Sequence, residues 1–191
     1  MITPAKILEL TNNRALSAYA RLHPETIDPL IPLIGHPGGV HHPETVLEHS
    51  LLVTEKVEKC CLANPVPMIL GALLHDVGKP AAFIPETGSM KGHEDHSYRI
   101  LADWMPKFGF PFLMCIQVPW IAQNHMRFHN MHKMRTAKLA DFLYNIERIG
   151  LDPVDCFKMG QCDKLSNLGG TWTIELAQEK FATFKKRLRD G

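Results

Sequence analysis

At 191 residues, 45% of them hydrophobic and 21% charged, the chain is sized and composed to fold as a single domain over residues 1–191 without disulfides, and its five cysteines, which form no Cys-x-x-Cys unit, are expected to be reduced. A formal charge of +1 supplies no overall field for a polyanion, which argues against an extended nucleic-acid interface and leaves a small phosphate ester as a compatible ligand. The longest strongly apolar run, about Met68 to Leu74, is too short to cross a bilayer, and Met1 to Lys6 holds no basic stretch followed by a hydrophobic one, so a cytoplasmic protein without a membrane anchor is expected.

Apolar residues recur at helical spacing in nearly every segment between the Gly and Pro breaks, and no alternation lasts long enough for a sheet, so an all-α domain is predicted. The first helix is placed at about Pro4 to Arg21, with Ile7, Leu8 and Tyr19 among its apolar positions. The connection His36-Pro37-Gly38-Gly39 leads to Pro43-Glu44, where proline suits the first turn of a second helix and glutamate its positive dipole end. That helix runs to about Leu62, before Asn64-Pro65. Met68 to Asp76 reads as a short buried helix stopped by Gly78 and Pro80, and Phe83 to Gly92 as a polar loop able to cover a site. Further helices are predicted at about Glu94 to Lys107, Pro111 to Phe128, Thr136 to Ile149, Pro153 to Leu165 and Thr173 to Leu188. The basic end Lys185-Lys186-Arg187-Leu188-Arg189 reads as a solvated helix terminus.

The apolar run Ala72-Leu73-Leu74 ends in His75-Asp76-Val77-Gly78-Lys79-Pro80. A buried His or Asp needs a partner to offset its desolvation, and with His49 upstream and His93, His125 and Asp163 downstream the partner suggested is a divalent cation. Imidazole and carboxylate donors without thiolates point to a catalytic transition metal rather than structural zinc, and fit Fe, Mn, Co, Ni or Zn, with Mg as a further choice. Lys79 follows Asp76 by three positions and His75 by four, so a continuing helical turn would set its ammonium beside the metal, where it stabilises charge developing in phosphoryl transfer.

Taken singly, these residues have plainer readings. His75 could complement a helix C-terminus with Asp76 capping the next turn, His49 could be an ordinary helix histidine, and Asp163 an ordinary helical acid. His125 and His129 share a helical face at i, i+4, but Met126 stands where the zinc-protease motif requires glutamate, so proteolysis is rejected. Arg127 is a candidate phosphate clamp, His129 a second candidate substrate contact, and His41 and His42 are candidates for the mouth of the site.

The pattern His49, His75-Asp76, Asp163 resembles the HD-domain metal-dependent phosphohydrolases. It is more similar still to the HD region of bacterial CCA-adding tRNA nucleotidyltransferases, over about Asn13 to Leu168. The blocks that carry this are Gly39-Val40-His41-His42-Pro43-Glu44, Leu47-Glu48-His49-Ser50-Leu51, the His75 to Pro80 run, Gly92-His93-Glu94-Asp95-His96-Ser97 and Asn124-His125-Met126-Arg127-Phe128-His129. The resemblance implies an HD-type helical bundle with its core at about residues 40–168, and one metal held by His49, His75, Asp76 and Asp163. In members with two metals it implies His93, four residues before Ser97, and His125 as further ligands, with Asp76 bridging. Asn124-His125 stands where some relatives have a His-His pair. The chain has neither the Asp-x-Asp pair nor the length of a nucleotidyltransferase head, so nucleotide addition is not expected.

What the resemblance then implies is a free-standing HD module acting on 2′,3′-cyclic or 2′-phosphorylated nucleotides. Metal-activated water would be the nucleophile and Asp76 and Lys79 the catalytic groups, and the partner would be a phosphorylated nucleotide or RNA terminus. Nucleoside mono- or triphosphates are alternative substrates. A two-iron HD oxygenase and a non-catalytic RNA-binding or interaction module are competing classes; Lys79 after Gly78 looks more like the phosphohydrolase branch, and the complete ligand set argues against the second.

Overall fold

Where the sequence pattern suggests one helix from Pro4 to Arg21, the chain forms two, α1 (Pro4–Asn12) and α2 (Leu16–Leu22). The structure is a computed structural model that describes residues 2–39, 43–168 and 172–190; His41 and His42 lie outside them. The break is caused from a distance. Arg14, at φ +54°, turns the backbone so that its guanidinium donates to the carbonyls of Glu58 and Cys60, and Ser17 N donates to Glu58 Oε1 at 3.0 Å. The Arg14 bonds satisfy carbonyls that the end of the next long helix leaves open, and that gain outweighs a continuous first helix. Two 3-10 turns, Pro24–Thr26 and Asp28–Leu33, then bury Ile27, Leu30 and Leu33 where the sequence pattern suggests no regular structure.

The second long helix, α3 (Val46–Glu58), begins later than Pro43-Glu44 suggests, because Thr45 and Glu48 form a capping box. Glu48 N donates to Thr45 Oγ1 at 3.2 Å and Thr45 N to Glu48 Oε2 at 2.8 Å. Glu44 is thereby left before the helix and turns inward. The buried helix also starts earlier, as α4 (Pro65–Leu74), with Pro65 in the first turn, where a missing N–H costs nothing. His75 and Asp76 occupy the turn that follows. Pro80 does not end the helical path; it lies in the first turn of a short α5 (Lys79–Ala82), and Lys79 N bonds back to Asp76 O at 3.0 Å.

The remaining helices match their sequence signals within a few residues: α6 (His93–Phe108), α7 (Phe112–Phe128), α8 (Thr136–Arg148), α9 (Pro153–Ser166) and α10 (Ile174–Asp190). Among the described residues there is no strand, only two isolated bridges, and the fold is an all-α helical bundle. No helix among them is long and apolar enough to cross a membrane. Phe128, Phe142, Phe157 and Phe184 are fully buried, and the Phe157 and Phe184 rings stack at 4.6 Å to seat α10 on α9.

Two glycines fix how closely the site-bearing elements meet. A Cβ on Gly78 would fall 2.2 Å from His93 O and 2.3 Å from Ser97 N, so only glycine lets the turn after Asp76 lie against the start of α6. The Gly78 N–H reaches Ser97 Oγ at 2.9 Å, which gives a physical reason for a small residue four positions after His93. A Cβ on Gly160 would fall 2.7 Å from Phe128 C, and this close approach of α9 to the end of α7 sets Asp163 opposite His129.

Candidate metal centre

Five elements converge on one cavity of about 690 Å³. From α3 comes His49, from the turn after α4 His75 and Asp76, from the first residue of α6 His93, from the last turn of α7 His125 with His129 just beyond, and from α9 Asp163. His75 and Asp76 are 0% and 1% exposed, which for ionisable groups demands compensation.

The histidines are aimed. His75 gives its Nδ1 proton to Ala72 O at 2.8 Å, His125 to Ala122 O at 2.7 Å and His93 to Met90 O at 3.0 Å. Each bond fixes the tautomer and leaves an Nε2 lone pair facing the centre. His49 points its Nδ1 at Glu44 Oε1, 3.3 Å away, and its Nε2 at Asp163 Oδ1, 2.9 Å away.

These lone pairs crowd one another. Nε2 of His93 lies 3.2 Å from Nε2 of His125, with Asp76 Oδ1 at 3.2 Å and 3.8 Å from the two rings. On the other side, Asp76 Oδ2 is 3.2 Å from His75 Nε2 and 3.9 Å from His49 Nε2. His75 Nε2 and Asp76 Oδ1 are buried without a hydrogen bond, while Asp76 Oδ2 pairs with the Lys79 ammonium at 2.7 Å. Acceptors gathered in this way repel unless a positive charge sits among them. Two overlapping donor groups, His49 with His75 and Asp76, and Asp76 with His93 and His125, each have their ligand atoms within 4.8 Å of one another; a third joins His75, His125 and Asp163. The donors fit a divalent cation held by nitrogen and oxygen.

The sequence profile of the HD domain matches residues 42–159, more than half of the chain. This chain belongs to the HD domain family. The family is in general one of metal-dependent hydrolases, and an HD domain with these donors is able to hold a divalent metal. His49, His75, Asp76, His93 and His125 lie inside the matched stretch and Asp163 just beyond it. No curated protein matches the chain.

The electrostatics of the HD centre follow from its burial and its two carboxylates. Burial opposes ionisation of Asp76, but His75 and Lys79 outweigh it and hold the carboxyl well below its usual range; the Lys79 ammonium is 2.7 Å from Asp76 Oδ2. Burial likewise opposes Asp163, and His129, whose Nε2 is 2.7 Å from Asp163 Oδ2, outweighs it and keeps that carboxylate ionised. Burial also works against a charged His75, yet Asp76 and Asp163 raise its pKa, a proton there answering the same demand as a metal. His125 is pushed down to about 3, by burial and then by His75, and so stays in the neutral form that ligates metals.

The six residues expected as ligands, together with Lys79 and His129, all line this cavity. Arg127 does not. Two residues on from His125 it lies roughly 200° round the helix, where its guanidinium stacks over Phe142 at 3.8 Å and donates to Asn124 Oδ1 at 3.0 Å. Asn124 is turned away as well, giving its Nδ2 proton to Trp120 O at 3.0 Å, so it takes no place among the donors. The 83–92 loop does wall the cavity, through Thr87 to Lys91. Residues that sequence reasoning did not single out are Glu44, whose signal was the Thr45-x-x-Glu48 box placing it outside α3, and Lys91, Lys164 and Trp172, which carry no motif.

Proposed function

We propose that this HD domain hydrolyses a phosphoester of a nucleotide, as a phosphodiesterase or phosphatase of the 2′,3′-cyclic type that the likeness to the CCA-adding HD region suggests. The observation that carries the reading is the buried Asp76, shared between two sets of imidazoles and paired with Lys79, at the floor of an open cavity.

His49, His75, Asp76 and Asp163 would hold one divalent ion and Asp76, His93 and His125 would hold a second, with Fe, Mn, Co, Ni or Zn suited to the donors. When bound, such ions supply Lewis acidity and a water acidic enough to attack phosphorus at neutral pH. The chain's own residues do the rest. Lys79 lies beside Asp76 at the cavity floor, and its ammonium offsets negative charge on the phosphate oxygens. His129 binds the ester from the α7 side, its ring oriented by Asp163. The α4 turn and α5 keep Lys79 and Asp76 in register, so the cation that meets substrate and the carboxylate that meets metal move together. In the reaction the water oxygen bonds to phosphorus as the bond from phosphorus to a ribose oxygen breaks, and the released oxygen takes up a proton.

Metal analysis of the purified protein, with a hydrolysis screen over 2′,3′-cyclic nucleotides and nucleoside mono- and triphosphates, tests the reading. Two metal equivalents and turnover of a cyclic nucleotide are expected, and His93→Ala or His125→Ala should each remove about one equivalent, leaving the ion held by the other set. A fully metallated protein that turns over none of these esters overturns the proposal.

A further inference from the structure

Above its metal-facing floor the cavity changes character. Its lining there includes Lys91, Lys164 and Trp172, and among the described residues the acidic side chains that line it are Asp76 and Asp163 of the floor. Lys164 leads outward, its ammonium 4.0 Å over the Trp172 indole.

Outside the cavity the positive charge continues. The imidazole of His132 is pushed down by burial and then by Lys180, Lys164, Lys133 and Arg187, and Lys133 follows it directly in the 3-10 turn Met131–Lys133. Arg187 is pinned there by bonds to the carbonyls of Met131 (3.3 Å) and His132 (3.0 Å). Lys180 pairs with Glu179 at 2.8 Å, while Lys133 is exposed. In a chain whose formal charge is only +1, a cationic strip that begins inside the cavity is a local concentration of charge at one place.

A mononucleotide does not need this strip, since its reacting phosphate is met by the metal-facing floor and Lys79. Phosphates further along a chain do need it. Trp172 lines the cavity beside Lys164, and an indole can stack with a base of any identity. Building on the hydrolase reading, we propose that the scissile phosphoester is the end of an oligonucleotide, whose next backbone phosphates lie on Lys164 and Lys133 and whose terminal base meets Trp172.

Two measurements test this and separate its failure from failure of the hydrolase reading. In the first, the metal-loaded protein is given a short RNA ending in a 2′,3′-cyclic phosphate and the matching cyclic mononucleotide. We expect kcat/KM to favour the RNA by about tenfold at low salt and the preference to shrink as salt rises, as phosphate contacts require. Lys133→Glu should lower the ratio several-fold, whereas Lys107→Glu, the same charge change on α6 where Lys107 pairs with Asp103, should not. In the second, fluorescence anisotropy follows a labelled RNA of the same sequence binding to protein without divalent metal. RNA binding weakened by Lys133→Glu, when the metal-loaded protein of the first measurement hydrolyses no ester, would sink the hydrolase reading and leave the docking strip standing. Equal kcat/KM for RNA and mononucleotide, or inorganic tripolyphosphate inhibiting as well as RNA does, would overturn the oligonucleotide proposal while leaving the hydrolase in place.

Discussion

At the floor of the cavity His75, His93 and His125 each spend their Nδ1 proton on a carbonyl of their own turn, whereas at its rim Lys91 is exposed and Lys164 leans on the face of an indole. The floor is over-determined: donors from five elements are buried, their tautomers set, and two glycine contacts leave the helices no room to separate or close. The rim consists of long side chains with soft, replaceable partners. The difference fits the proposed roles: position is fixed where a cation would be held to within fractions of an ångström, and left adjustable where only negative charge and a ring would be met.

The sharpest way to break that contrast is Asp76→Ala. Both groups of imidazoles face this one carboxylate, so its removal should take hydrolysis to background and strip metal from the protein, while circular dichroism shows the helices retained. A variant that kept full metal content and normal turnover would mean that the floor is not organised round Asp76 at all.

Lys79→Ala comes next, because Lys79 belongs to both regions. It is buried and paired with Asp76, as the floor is, yet it lines the open cavity, as the rim does. Metal content should stay near the parent's and kcat should fall by about 10²–10³, on the order of 2 to 4 kcal/mol, as for other deleted donors that stabilise transition-state charge. If metal is lost and the rate per bound metal is normal, Lys79 serves the floor alone.

The floor was also the more legible region in the sequence, for the same reason that it is rigid. A His and an Asp closing an apolar run betray themselves by their desolvation, and helical periodicity carries the elements that hold them. The rim's lysines look like any solvated cation until the fold brings them together. Arg127 lies near His125 along the chain but is held by the Phe142 ring, which comes from α8. The break between α1 and α2 depends on carbonyls of Glu58 and Cys60 far along the chain, so no local pattern could announce it. Glu44 is a different case, because the capping box that excludes it from α3 is readable in Thr45-x-x-Glu48, next to a proline that carries the opposite signal.

Glu44 also supplies the finest test of how rigid the floor is. Its carboxylate lies 3.3 Å from His49 Nδ1, with both side chains 2% exposed, so it orients the ring and makes Nε2 a better donor without meeting the metal itself. Glu44→Gln keeps an oxygen able to accept the same proton and removes only the charge. Orientation should survive, and the change should appear as a loss of metal affinity at the His49 position of about tenfold, the lower end of what such outer partners contribute. At saturating metal kcat should be close to the parent's, because no group that meets substrate has moved. Competition with a metal-binding dye measures the first quantity and steady-state kinetics the second. Unchanged affinity would reduce Glu44 to a buried group that fills space, and a fall in kcat that excess metal does not restore would place it closer to the chemistry than its position before α3 implies.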